Sequence, residues 1–529
     1  MSPAVGTGTP ATTVAAVDLG AGSGRVVAAA FDGERLRTRT VHRFEHAPRT
    51  VDGVLRWDVA ALWAGVREGL AALTAAHGVP GSIGVAGWGV DHALLRADGT
   101  LAAEPACYRD PRRSAALERA VAEVGRERLY AATGTQVAPI STLFALLADA
   151  RGAAAERERL REAAQLVMLP DLFHHLLRGA PPVPVVTERT AASTSALLDV
   201  TTGAWARELL AELDLPAHLL PEVVPAGTGT GPVGGDLSGL LPGTRVVLPA
   251  AHDTASAVAA TPGVEDGALF LSCGTWSLLG TERREPLVGP AARDAELTHE
   301  AGYGDDGGTV LLLRNLTGDW LLQECRRAWA REGLHLSAAD LAALAAAEPP
   351  LRSLVDPGDP AFLAPGDLPA RLRAACARHG EPVPATPGAL ARCVVDSLAL
   401  AHGDAVAALE RVTGHRAPSI TATGGGSQHE LLVRATADAT GLPVRLGPVE
   451  ATATGNAGAQ LVALGELAGP ADVRRLVDAD PRCRRVVEPA ARSAERWGEA
   501  AGRWRRLARR TAGATTGTPA AGGAREVPA

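Results

Sequence analysis

The chain has 529 residues, of which 46% are hydrophobic and 21% charged, with a formal net charge of −7. This is the balance of a soluble globular enzyme, and at about one domain per 150 residues the length allows two to four domains, of which two large halves fit best. No basic block is wide enough to follow a phosphate backbone and no stretch reaches roughly 18 uninterrupted apolar residues, so neither nucleic acid nor a membrane is expected as a partner.

The N-terminus carries no basic segment ahead of its first apolar run, so a cytoplasmic location is expected. The six cysteines lack CxxC or metal-ligand spacing and read as reduced, mostly buried thiols. No lysine occurs, so all 52 basic residues are arginine. A P-loop and a Schiff base both require lysine, and both are excluded. If the chain handles ATP, it does so on another fold.

Residues 1–12 read as a disordered leader. Val14 to Asp18 reads as a buried strand, Leu19 to Gly24 as a glycine-rich turn and Arg25 to Phe31 as a second strand. A dinucleotide fingerprint would need a helix directly after the glycines, so a Rossmann fold is disfavoured. The turn is either an ordinary hairpin or a place where backbone N–H groups meet phosphates. Asp18, ending the first strand, is placed to hold a metal ion directly or through water.

A third strand spans Thr38 to Phe44, and an amphipathic helix spans Val59 to His77 with Asp58 as its N-cap. The strand Ser82 to Ala86 ends in Gly87-Trp88-Gly89-Val90-Asp91-His92, which is either a core Trp beside a turn or a carbohydrate site of ring, glycine backbone and carboxylate. Cys107 to Arg112 is a salt-bridged loop or a substrate contact, and helices follow at 113–133, 142–151 and 154–164. His174 and His175 read as internal or surface residues rather than metal ligands, Thr187 to Thr190 is a polar patch of uncertain use, and 225–243 reads as a surface loop between lobes.

The apolar run Arg245 to Ala250 delivers Ala251-His252-Asp253-Thr254-Ala255-Ser256 to a strand end, where α/β architectures place ligands. Asp253 is the candidate catalytic base there; the alternative is a junction in which His252 or Asp253 caps a helix. In the second half, Gly267 to Gly280 repeats the strand, small turn, strand pattern, which suggests a duplicated fold with nucleotide between the two turns. Asn315 precedes a helix bearing Gln323 and reads as a cap or a ligand contact. Gly424 to Gln428 ends the strand 419–423 where close approach of a nucleotide is possible, a basic helix spans 492–510, and 511–529 reads as a disordered tail.

Taken in order, Asp18 to Arg25, Trp88 to Asp91, Tyr108 to Asp110 with Arg112, His252 to Ser256, Ser272 to Leu278, Asn315 with Gly318, Trp320 and Gln323, Gly424 to Gln428 and Gly447 to Ala453 resemble the FGGY family of carbohydrate kinases. Within that family they are most similar to the bacterial branch that phosphorylates L-rhamnulose. The resemblance implies an α/β fold of two ribonuclease H-like, actin-like ATPase domains with the active site in the cleft between them, residues 13–258 and 259–510. It implies ATP and Mg²⁺, with Asp18 at the metal and Ala21, Gly22, Ser23, Gly24, Arg25, Thr275, Gln323 and Gly425 at the nucleotide. It also implies that Gly89, His252, Asp253, Thr254 and Asn315 contact the sugar, with Asp253 the proton acceptor, and a monomer or homodimer is expected. His92, His429 after Gln428, and His299-Glu300-Ala301-Gly302 depart from the family's usual pattern. A kinase of another ketose or polyol, an actin-like ATPase chaperone and an inactive sugar-binding regulator are the competing readings.

Overall fold

The computed structural model describes residues 11–304 and 308–516. The expected leader and tail lie outside these residues except at their inner edges, where both expectations are corrected. Thr12 already belongs to the first strand, and the last helix continues to Thr516.

In the first lobe β1 (Thr12–Leu19) pairs antiparallel with β2 (Ser23–Phe31), and β2 with β3 (Leu36–Glu45). Helix α1 (Val59–His77) follows, its N-terminus capped by the Asp58 carboxylate, which accepts from the Ala61 N–H at 2.9 Å. Then come β4 (Ser82–Gly87), α2 (Arg112–Thr133), β5 (Gly229–Pro232) and β6 (Arg245–Val247). The sheet order is β5-β6-β4-β1-β2-β3, with β6, β4 and β1 parallel. Every residue from Val14 to Leu19 is buried, as a strand must be when both faces of its sheet are covered. One cover is α1, the helix among the described residues that is long and apolar enough to cross a membrane by composition alone. Its Leu62, Val66, Leu70 and Leu73 pack in one core with Val17, Val26 and Val85.

The loop expected between lobes at 225–243 is corrected: Gly229–Pro232 is the edge strand of this sheet, paired with Arg245–Val247. An edge position tolerates its glycines and proline, because one row of backbone groups needs no sheet partner.

After α3 (Asp253–Ala259) the second lobe repeats the scheme with β7 (Leu269–Cys273), β8 (Trp276–Arg283), β9 (Thr298–Ala301) and β10 (Val310–Thr317). It continues with α4 (Trp320–Arg331), α5 (Pro387–Thr413), β11 (Ile420–Thr423), α6 (Glu430–Thr440) and β12 (Val444–Leu446). Last are α7 (Ala451–Ala463), β13 (Val486–Val487) and α8 (Ala494–Thr516), and the sheet order is β9-β10-β8-β7-β11-β12-β13. Each lobe therefore centres on a strand paired antiparallel to its successor across a short turn and parallel to a later strand. The expected duplication is present in topology.

Helix α7 belongs in sequence to the second lobe but lies on the sheet of the first. The Asn456 side-chain N–H groups donate to the carbonyls of Val17 and Gly84 at 3.1 Å, and Gln460 donates to that of Ala15 at 3.0 Å. A Cβ on Gly84 would sit 2.8 Å from the Asn456 side chain, and one on Gly455 would sit 1.8 Å from the Ser256 carbonyl oxygen. These two glycines let α7 touch both the sheet and α3, and so fix the helix that carries Asp253 between the lobes. All six cysteines are free and buried.

Candidate active site

Strands β1, β4 and β6 run parallel, so their carboxyl ends meet. The Trp88 N–H donates to the Leu19 carbonyl at 3.0 Å and the Gly87 N–H to the Ala251 carbonyl at 2.9 Å. This brings the Asp18 turn, Gly87 to Gly89 and Ala251 to Thr254 into one place. In the second lobe the ends of β7, β11 and β12 deliver Gly274-Thr275, Gly424 to Gly426 and Glu450 in the same manner.

Asp253 opens α3, and its side chain keeps 30% of its surface exposed. The Nε2 of His252 lies 3.3 Å from Asp253 Oδ1, and the Thr254 hydroxyl donates to the same oxygen at 3.3 Å. On its other side His252 Nδ1 lies 3.2 Å from Glu300 Oε2 of β9, an ion-pair distance without hydrogen-bond alignment. Burial pushes Asp253 up to about 6; His252 opposes this and Asp18 adds to it. Burial disfavours a charged His252, but Glu300, with Asp253 and Glu188, overrides it and holds the imidazole at about 9. His252 occupies the cap position of α3 yet makes no side-chain cap bond, so the capping alternative fails for it.

The backbone of this segment is held from below. One oxygen of the fully buried Glu188 accepts from the N–H groups of Ala251 (2.9 Å), Thr190 (2.9 Å) and Ala191 (3.2 Å), while the Thr190 hydroxyl accepts from His252 N–H at 3.1 Å. Burial, more than any neighbour, lifts Glu188 to about 7. Sequence reasoning missed the roles of Glu188 and Glu300. The polar patch around Glu188 was visible without a use, and Glu300 stood out only within an atypical tetrapeptide.

The nucleotide candidates separate into two groups. A Cβ on Gly22 or on Gly425 would meet nothing within 4 Å, and both residues are exposed, one from each lobe. Gly24 is different: its Cβ would lie 2.2 Å from the Phe44 ring, so packing accounts for it. Ala21, Ser23 and Thr275 are half-buried; the Thr275 carbonyl accepts from the Gly318 and Trp320 N–H groups at 3.2 and 3.3 Å, which sets the start of α4 beside the turn. Gln323, in the first turn of α4, is half-buried and hydrogen-bonds Asp319. Arg25 is tied to both lobes, 2.6 Å from Asp18 and 2.8 Å from Glu450. Both guanidinium contacts to Asp18 fall on Oδ2.

Asn315 is no cap, since it lies within β10 opposite Leu278, and Asp319 holds the cap position of α4. It shares a face with Leu311 and Leu313, which pack against Ala255 and Val258 of α3, so it lies on the side of the sheet turned towards the Asp253 helix. No hydrogen bond among the described residues joins it to His252 or Asp253. Gly89 is buried, and its Cβ would lie 2.7 Å from the Thr194 side chain.

The carbohydrate reading of Trp88 with Asp91 is corrected. Asp91 Oδ2 accepts from the indole N–H groups of Trp57 (2.6 Å) and Trp88 (2.9 Å) and from Tyr108 N–H (3.2 Å), and Oδ1 accepts from Arg113 at 2.6 Å. With Asp91 at 0% exposure and Trp88 at 5%, neither carboxylate nor ring is available to a sugar. The Cys107 to Arg112 loop is salt-bridged, through Asp110 and Arg112 at 2.9 Å, and Arg109 lies over the Trp320 ring of the second lobe at 4.3 Å. His174 accepts from Val85 N–H at 3.0 Å, and no group of three metal-ligating side chains occurs among the described residues.

Models of the N-terminal and C-terminal domains of the FGGY family of carbohydrate kinases match residues 13–260 and 269–464. The chain is 38% identical over 502 residues to the rhamnulokinase of Pectobacterium carotovorum subsp. carotovorum, covering 93% of this chain and 95% of that one. It is 37% identical over 464 residues to the rhamnulokinase of Enterococcus faecalis, covering 86% and 90%. The fold superposes on the ligand-bound xylulose kinase from Lactobacillus acidophilus with a TM-score of 0.76 at 17% identity, over 95% of this chain and 98% of that one. It superposes on Plasmodium falciparum glycerol kinase with ADP with a TM-score of 0.74 at 14% identity, again over 95% and 98%. Two matched lobes in the expected topology, joined by polar contacts that meet at Asp253 and Arg25, carry these likenesses over nearly the full length, and the chain belongs to the FGGY family of carbohydrate kinases.

Proposed function

We propose that this sugar kinase transfers the γ-phosphoryl group of ATP to the 1-hydroxyl of L-rhamnulose, with Asp253 as proton acceptor. The substrate rests on the rhamnulokinase relatives, 38% identical across 93% of the chain. The chemistry rests on one observation: a carboxylate at the junction of the lobes that keeps 30% of its side-chain surface open and stands against His252 and the Thr254 hydroxyl, where burial pushes it up to about 6. A base near that value is ionised at neutral pH and still strong enough to draw a proton from an attacking alcohol.

Phosphoryl transfer passes through a loose transition state, so the protein mainly positions groups and balances charge. Gly22 and Gly425 present open backbone from opposite lobes, which suits close approach to a triphosphate. Arg25, held between Asp18 and Glu450, is the cation of the first turn. A magnesium ion that arrives with a nucleotide takes most of its ligands from phosphate and water, so one carboxylate at the turn is a sufficient donor set, and Asp18 would hold it directly or through water. When bound it would neutralise phosphate charge. Gly89, His252, Thr254 and Asn315 are the proposed sugar contacts, and the enzyme is proposed to work in the cytoplasm as a monomer or homodimer.

An NADH-coupled ADP assay with rhamnulose, fuculose, xylulose and glycerol side by side tests the substrate. Rhamnulose is expected to give the highest kcat/KM; preference for another member of the panel would reassign the sugar, and ADP release independent of any sugar would favour the chaperone reading. The same assay between pH 5 and 8 is expected to show an acid limb near 6, falling about tenfold per pH unit below it, as Asp253 takes up its proton.

A further inference from the structure

His252 stands between two carboxylates, Glu300 at 3.2 Å from Nδ1 and Asp253 at 3.3 Å from Nε2. A neutral imidazole would set a lone pair and no charge against one of these carboxylates; only the doubly protonated ring forms an ion pair with both. We infer that Glu300 is a positioning residue for phosphoryl transfer, fixing an imidazolium at His252 that engages Oδ1 of Asp253 and leaves Oδ2 to receive the proton of the sugar. The inference rests on the reading of Asp253 as the base.

Three observations support it. Oδ1 accepts from the Thr254 hydroxyl and is also the oxygen that faces His252, so the hydroxyl and the imidazole address the same atom of Asp253. His252 and Glu300 are both 7% exposed in their side chains, so water does little to screen the pair. The charges that act most strongly on His252 point the same way: Glu300 from β9, Asp253 from its own helix and Glu188 from the first lobe, all acidic. Asp253 in turn faces Asp18 of β1 and Arg25 of β2 besides His252, and the Arg25 charge is already shared by Asp18 and Glu450. The imidazolium is therefore the cation in contact with the base, and it exists because a residue of the second lobe supports it.

Long-range ¹H–¹⁵N NMR of the histidine-labelled full chain, with His252 assigned by its loss in His252→Asn, tests this directly. Both ring nitrogens of His252 should be protonated at pH 7.5 in the wild type, and one proton should be lost at that pH in Glu300→Gln. The variant should lose about fivefold or more in kcat/KM at pH 6, with the loss shrinking towards pH 8, because the carboxylate without its cation holds its proton to higher pH. A neutral His252 at pH 7.5 in the wild type, or a loss equal at all pH values, would overturn the inference. The wild-type spectrum decides even if Glu300→Gln does not fold. Failure of the base assignment itself would show instead as an active Asp253→Asn enzyme, while the wild-type spectrum still shows both His252 nitrogens protonated.

Discussion

Asp253→Asn is expected to lower kcat at least about 10²-fold, the low end for a general base, while the dissociation constant for the ketose stays within about threefold. The amide has the size of the carboxylate and keeps an oxygen in the Oδ1 position to accept from the Thr254 hydroxyl and to face His252. In the Oδ2 position it carries hydrogen instead of a lone pair and cannot take the proton of the attacking hydroxyl. Loss of chemistry is separable from loss of fold by linkage. Burial holds Asp253 at about 6 in the folded state, above the ordinary carboxylate value of 3.8, so its ionisation costs stability as pH rises through that window, and the cost is complete above it. A neutral amide removes that cost, and the variant should melt no lower than the wild type at pH 7.5. Turnover assays and calorimetric sugar titration on the same preparation check the prediction; near-normal turnover would remove Asp253 from the role of base.

Asp91→Ala is expected to destabilise the first lobe by about 3–5 kcal/mol, the range for one partner lost from a buried ion pair. Asp91 and Arg113 are 0% and 1% exposed, and the carboxylate also receives two indole N–H groups and one backbone N–H. Without it, the Arg113 guanidinium would keep only the carbonyls of Ile140 and Ala106 as hydrogen-bond partners among the described residues, in a buried site. Urea unfolding followed by tryptophan fluorescence should show an earlier transition, since Trp57 and Trp88 both report on the site. Asp91→Leu combined with Arg113→Met should recover much of the loss, because it removes both charges together. A loss below about 1 kcal/mol in the single variant would mean that the network contributes nothing beyond the apolar packing around it.

Much of the architecture was legible because it is written locally. Val14 to Asp18 and Leu269 to Cys273 are apolar runs ended by small residues, and α1 shows its apolar stripe and its cap in consecutive residues. The order of short motifs was enough for the family, and Gly22 and Gly425 lie open in their turns while Asp253 opens a helix after a strand. Asp91 shows the limit. Beside a Trp and two glycines it looked like a group awaiting a sugar, whereas its partners Arg113 and Trp57 lie 22 and 34 residues away in the chain. The edge strand Gly229–Pro232 was hidden in the same way, since its composition is that of a loop and only its pairing with Arg245–Val247 makes it a strand.

By itself, then, the order of residues determined where the chain extends, coils and turns, which of its turns are built of small residues, and which aspartate ends up at a strand terminus. Folding decided the rest: that α7 of one lobe lies on the sheet of the other, that Arg25 joins Asp18 to Glu450, and that Glu188 and Glu300 close around His252 from different lobes. Hydrogen-bond periodicity and burial pattern repeat within a few residues and can be read along the chain. The partner of a buried charge is chosen by whatever segment the closed structure brings to within about 4 Å, and that distance is not written in the neighbouring residues.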